Sequence, residues 1–177
     1  MPELTVQAMQ EMACAAAANV CISTALWLRV VTQESAGWNP NAGDWRPFPT
    51  CIGLCQLNER FAKWFILTHG MDIVPRAEEC RLKESDYWTD ERLRATLLDP
   101  FVNLTIGARE MARLLRHFGT WEAALAGWNW GSGYTAALMA DYPQTWMSRL
   151  PHETQYMQAI VLLDDGIRKY HPDWRGR

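Results

Sequence analysis

The strongest constraint on how this chain folds is an apolar stripe at helical spacing in its second half. Phe101, Leu104, Ile106, Ala108, Met111, Leu114 and Leu115 supply an apolar stripe at helical spacing that runs as far as Phe118. Asp99-Pro100 opens the stretch as helix starts do, with proline early in the first turn where a missing N–H costs nothing. Similar patterns predict helices over 4–18, 22–35, Gln56 to Leu67, Ser85 to Leu97, Trp121 to Trp128 (capped by Thr120) and His152 to Tyr170. Gly131 and Gly133 break the helix that begins at Trp121, and 70–85 reads as a polar connection. Residues 36–55 hold Gly37, Pro40, Gly43, Pro47, Pro49 and Gly53 and read as an irregular loop with room for a small β-ribbon. Long structureless connections in compact domains are usually functional. No hairpin signal, internal repeat or low-complexity run interrupts this mainly α pattern.

A chain of 177 residues with 49% apolar and 21% charged side chains fits one globular domain over 1–177 with a substantial core. The net charge of −3, with no run of either sign, argues against nucleic acid as the main partner. Met12 to Val31 is apolar enough to imitate a signal peptide or a membrane span. A secretory signal needs a basic leading segment, yet the first eleven residues hold Glu3 and Glu11 and no Lys or Arg. Asn19 and Arg29 interrupt the run, so it reads as two buried helical segments and not as a span.

The five cysteines, Cys14, Cys21, Cys51, Cys55 and Cys80, are odd in number and suggest mainly free thiols. Cys51 and Cys55 do not form a CxxC pair, and His69, His117, His152 and His171 have no ligand-like spacing, so no metal site is expected. No nucleophile elbow, phosphate-binding loop or other cofactor motif is present; Gly131-Ser132-Gly133 lacks the glycine spacing and the lysine. Cys55 has no histidine in a partner motif, which argues against a cysteine nucleophile.

Glu34 is the residue most suggestive of chemistry. It shares a helical face with Trp27, Val30 and Val31 and stands just before the Gly37–Gly43 break. A carboxylic acid at the end of an apolar face is partly desolvated, which raises its pKa and suits it to hold a proton near neutral pH. The competing reading is a solvated glutamate that caps a turn.

Around Glu34 stands an ordered set of short motifs. Glu34-Ser35 is followed by Gly53-Leu54-Cys55-Gln56, by Asp99-Pro100 with Asn103 and Gly107-Ala108, by Trp128-Asn129-Trp130-Gly131, and by Glu153-Thr154-Gln155-Tyr156. This set resembles the soluble lytic transglycosylase (SLT) family of the goose-type lysozyme-like superfamily, with its ES, GLMQ, DPxxN…GA, YN-G and ETxxY signatures, over roughly residues 22–160. The resemblance implies a lysozyme-like helical domain with a substrate groove. It also implies an enzyme that cleaves the β-1,4 bond between N-acetylmuramic acid and N-acetylglucosamine in peptidoglycan.

In that family a single Glu protonates the glycosidic oxygen, the substrate's acetamido group stabilises the developing charge, and the C6 hydroxyl closes a 1,6-anhydro ring. The role falls on Glu34. No second carboxylate lies on a family motif, the nearest in sequence being Asp44 and Glu59. Residue by residue, the resemblance places Ser35, Cys55, Gln56, Trp128, Asn129 and Tyr156 as substrate-binding, with Tyr156 near the acid and Glu153 a buried structural carboxylate. Ser35 also reads as a helix cap. Cys55 stands where the family usually has Met, and Trp128 where it commonly has Tyr, so a hydroxyl contact is lost there. The glycan is expected across a groove walled by the 36–55 loop and the Trp128–Gly133 turn. Trp38, Trp45 and Trp130, on loops near the motifs, serve either sugar stacking or packing. Two other readings stay open: a hydrolytic muramidase of the same superfamily, and an inactive virion module for binding or structure. A wall-acting enzyme made in the cytoplasm without a visible export signal suggests phage origin, with delivery by a virion or secretion partner or release at lysis; a fragment of a longer protein fits equally.

Overall fold

The computed structural model describes residues 4–44, 50–69 and 89–150. Among these, the chain forms seven α-helices, a two-stranded antiparallel sheet and one short 3-10 turn, so the mainly α expectation holds. Contacts divide it into two units, residues up to Ala108 and residues from Arg109 onward.

In the first unit the apolar N-terminal run is two helices and not one. α1 spans Val6–Asn19 and is capped by Thr5, whose hydroxyl accepts from Ala8 N at 3.2 Å. α2 spans Thr24–Glu34 and is capped by Ser23. Cys21 separates them in the left-handed region, at φ 58°. The two helices pack on each other, burying Met9, Ala13, Ala16 and Ala17 of α1 and Leu26, Trp27, Val30 and Val31 of α2. Full burial of a side chain the size of valine or leucine contributes roughly 1.5–3 kcal/mol, so this shared face outweighs the local propensity of either helix.

The expected ribbon exists: its first strand lies inside the 36–55 stretch and its second just beyond it. β1 (Cys51–Ile52) pairs with β2 (Leu57–Asn58), with Cys51 opposite Asn58 and Ile52 opposite Leu57. The helix expected from Gln56 therefore begins later, as α3 over Glu59–His69, because Leu57 and Asn58 are in the ladder. α4 spans Asp90–Leu97 with Thr89 as its cap. Ser85, read as the start of that helix, lies outside the described residues. α5 spans Pro100–Phe118, as its sequence signals predict. The Asp99 carboxylate caps it, accepting from Phe101 N at 2.9 Å and Val102 N at 3.2 Å.

In the second unit Thr120 caps α6, Trp121–Trp130, by accepting from Ala123 N at 3.3 Å. α6 runs two residues past the expected end, so Trp130 is on its last turn and not on a loop. Gly131, at φ 93°, ends it. A helix absent from the sequence reading follows, α7 over Ser132–Asp141, and it packs on α6. Gly133 sits inside α7 with no left-handed φ, so of the two expected breakers only Gly131 breaks the chain. Ala123, Ala126, Trp146 and Leu150 are buried together, with Phe118, Trp130, Leu138 and Met139 packed against them. A Cβ on Gly127 would come within 2.6 Å of the Phe118 ring, so glycine permits that close packing on α6. The expected closing helix over His152 to Tyr170 lies outside the described residues, as do Trp45, Cys80, Glu153 and Tyr156.

Candidate active site

α2 delivers Glu34 as its last residue, half-buried at the end of the face that buries Trp27, Val30 and Val31. The chain then turns sharply. Ala36, Gly37 and Trp38 lie consecutively in the left-handed region, at φ 50°, 92° and 72°. A non-glycine residue held there costs on the order of 1–3 kcal/mol, so neighbouring bonds must fix the turn. Ser35 supplies them. Its hydroxyl donates to Val31 O at 2.7 Å and accepts from Trp38 N at 2.8 Å, and Asn39 N donates to Ser35 O at 3.2 Å. Ser35 is wholly buried, so the capping role anticipated for it accounts for both contacts of its hydroxyl. Trp38 is buried as well, which makes it part of the packing of this turn.

The β1–β2 connection, Gly53-Leu54-Cys55-Gln56, forms the second part of the site. It is a tight loop with Gly53 at φ 77° and Gln56 at φ 47°, closed by Gln56 N donating to Gly53 O at 3.1 Å. Gln56 is half-buried, and its Nε2 donates to Ala42 O and to Gly53 O, both at 3.0 Å. Gly53 N also donates to Ala42 O, at 2.8 Å, tying the loop to the turn that follows α2. Gly43 permits that approach: a Cβ there would collide with Cys51 O.

Cys55 is fully buried and faces α2. A Cβ placed on Gly107 would lie 2.7 Å from Cys55 Sγ and 2.8 Å from the Trp27 ring, so the thiol and the indole share the space over that glycine. Burial pushes the Cys55 thiol well above its usual range, and the negative charge of Glu34 pushes it further. That influence brings Glu34 and Cys55, two of the residues singled out from the sequence, into one local environment. Cys55 is a protonated thiol at neutral pH, unlike an activated nucleophile. Cys14, Cys21, Cys51 and Cys55 are thiols outside any disulfide.

Asn103 is visible in the sequence only as part of a motif, and its bonds to the main chain around the loop are not. It is wholly buried on α5, where its Oδ1 accepts from Cys55 N at 2.8 Å and its Nδ2 donates to Ile52 O at 3.1 Å and Leu97 O at 2.9 Å. The available signal was an amide side chain set within an apolar stripe, between Val102 and Leu104. Glu59, weighed from the sequence as a second carboxylate, is wholly buried and paired with Arg94 at 2.8 Å, and its Oε2 also accepts from Thr50 N at 2.8 Å. Asp44 is exposed, and its main-chain oxygen accepts from Arg94 Nη1 at 3.1 Å.

Trp128 and Asn129 belong to the second unit, on the last turn of α6, where Trp128 is half-buried and Asn129 exposed. Among the described residues, no group of three or more His, Cys, Asp or Glu side chains is placed to hold a metal ion, and no helix is long and apolar enough to cross a membrane.

Compared with known families, residues 11–142 match the transglycosylase SLT domain, which covers most of the chain. Comparison with curated proteins finds no match, and comparison with solved structures finds none.

Proposed function

The chain belongs to the transglycosylase SLT domain family, whose members cleave peptidoglycan, and from that premise we propose that Glu34 is its single catalytic acid–base. The observation that carries this reading is the placement of Glu34. A half-buried carboxyl ends an apolar helix face and acts electrostatically on Cys55, within the loop that matches the family's glutamine motif.

The substrate is a glycan strand, cleaved at the bond between N-acetylmuramic acid and N-acetylglucosamine. Protonated Glu34 gives its proton to the glycosidic oxygen as the bond to C1 breaks, and the 2-acetamido group shares the positive charge left on the sugar. The ionised Glu34 then takes the proton of the C6 hydroxyl as that oxygen bonds to C1. The products are a 1,6-anhydro-muramic end and a free N-acetylglucosamine end, and Glu34 is protonated again for the next cycle. Intramolecular attack profits from the high effective concentration of a held nucleophile. Gln56 already directs its amide N–H groups at main-chain carbonyls, so it offers its carbonyl oxygen to a sugar hydroxyl. Trp128, Asn129 and Tyr156 complete the proposed sugar contacts.

Hydrolysis by a superfamily muramidase would need a second carboxylate to activate water, in the manner of two-carboxylate glycosidases. Glu59 is committed to Arg94 and Thr50 N, which supports the anhydro route over the hydrolytic one. Mass spectrometry of peptidoglycan digested by the purified protein tests the proposal. Anhydro-muramic ends are expected; reducing muramic ends would favour hydrolysis, and intact glycan would favour a binding module.

A further inference from the structure

Asn103 is placed to act on the site without touching substrate. Its three hydrogen bonds use both N–H groups and the carbonyl oxygen of one carboxamide, and every partner is main chain. Two of them, Ile52 O just before the Gly53–Gln56 loop and Cys55 N within it, flank Gly53 and Leu54, so the side chain braces the first half of the loop like a crosspiece. The third, Leu97 O, fixes the side chain to the end of α4. The fit is close enough that a Cβ on Gly53 would collide with the Asn103 amide. Beyond the crosspiece, Cys55 Sγ and the Trp27 ring meet over Gly107, and Trp27 is seven positions before Glu34 on one helix face.

We propose that Asn103 is a positioning residue for catalysis: its carboxamide sets the height at which the Gly53–Gln56 loop meets the face of α2 that ends in Glu34. The loop holds the non-glycine Gln56 in the left-handed region, at φ 47°, and so has reason to relax once released. Aspartate keeps the acceptor for Cys55 N but turns an oxygen toward the carbonyls of Ile52 and Leu97. Serine, with one hydroxyl on a shorter side chain, cannot replace all three contacts.

The kinetic part of this inference rests on the transglycosylase reading. Asn103→Asp and Asn103→Ser are compared with the parent on purified peptidoglycan, well below the melting temperature of each. Positioning predicts that kcat falls by about tenfold to a hundredfold, as displacement of a catalytic constellation does, while KM changes by less than about twofold. Met9→Ala, which truncates a buried side chain of α1 that makes none of the Asn103 hydrogen bonds, serves as the stability control and should keep the parental kcat. A second measurement does not depend on turnover. Native protein is treated briefly with a small thiol reagent and the label located by mass spectrometry; Cys55 should resist in the parent and react in both Asn103 variants. Parental kcat in folded Asn103 variants would overturn the proposal. So would an unreactive Cys55 in those variants, or failure of both to fold at any temperature, which would make the carboxamide a requirement of the fold alone. A parent that never cleaves peptidoglycan would sink the functional reading instead, and Cys55 labelling would still decide whether Asn103 holds the loop.

Discussion

Glu59 and Arg94, 35 positions apart in the chain, meet as a two-point ion pair, with Nε 2.8 Å from Oε1 and Nη2 3.2 Å from Oε2. The glutamate side chain is wholly buried, whereas the arginine side chain keeps 23% of its surface in solvent. Arg94 also reaches Asp44 O, so one side chain fastens α4 to the start of α3 and to the end of the turn that follows α2. The pair explains why a carboxylate close in sequence to the proposed acid belongs to the scaffold.

Removing Arg94 should therefore cost stability first. Arg94→Ala leaves the Glu59 carboxylate buried without its cation, and losing one partner of a buried pair typically costs about 3–5 kcal/mol. The lower end applies here, because the arginine side chain is partly solvated. Replacing both partners by apolar residues of similar volume, as in Glu59→Leu with Arg94→Met, should restore much of the loss. Urea melts of the single and double variants check this; a double variant no more stable than Arg94→Ala would mean the pair is not the source of the cost.

The Cys55 thiol predicts a particular alkaline weakness. Its folded pKa lies above the ordinary value of 9.0, raised first by burial and then by the charge of Glu34. The folded state therefore holds its proton to higher pH than the unfolded chain does. The resulting stability is fully present below pH 9.0 and is lost as pH climbs from there through the raised folded value. Cys55→Ala, less stable at neutral pH because of the cavity it leaves, should close the gap to the parent in melts run between about pH 8 and 11. A constant difference across that range would show that the thiol does not titrate differently on folding.

Most helices were legible because their end signals are local and physical. Thr120 and Asp99-Pro100 announce their helices, and both helices begin where those residues say. The ribbon was legible only as a possibility, since strands of two residues are too short to show a period, and its true position displaced the start of α3. α7 was missed because Gly133 looks like a breaker in sequence, although only its neighbour Gly131 takes a left-handed φ. At the site, Glu34 stood out through its apolar face and its motif. The work of Asn103 did not, since it bonds to main-chain atoms 48 and 51 positions away. Glu59 likewise could not be separated from a catalytic carboxylate without knowing where Arg94 lies.

Gly107 should not tolerate a methyl group. A Cβ there would sit 2.7 Å from Cys55 Sγ and 2.8 Å from the Trp27 ring, and neither has free space into which to retreat, both being fully buried. Overpacking of this kind costs about 1–3 kcal/mol, partly offset by the better helix propensity of alanine. Gly107→Ala should lower the urea midpoint, and adding Cys55→Ala should recover part of the loss by vacating the space. Unchanged stability in the single variant would mean that α5 shifts freely against the loop.

Glu34→Gln should separate chemistry from structure. The amide keeps the length and shape of the side chain but has no proton to transfer, so turnover on purified cell walls should fall by about a hundredfold or more. The glutamate ends a helix whose apolar face is held by Leu26, Trp27, Val30 and Val31 and whose terminus is capped by Ser35, none of which the substitution touches. The fold should persist, with a parental circular dichroism spectrum and a cooperative melt. The Cys55 thiol gives an internal check. Removing the charge of Glu34 takes away the smaller of the two causes that raise it, so thiolate absorbance should appear at lower pH than in the parent while staying above the ordinary range. Near-parental turnover in Glu34→Gln would move the acid elsewhere, and an unchanged thiol titration would mean that Glu34 and Cys55 do not share an environment.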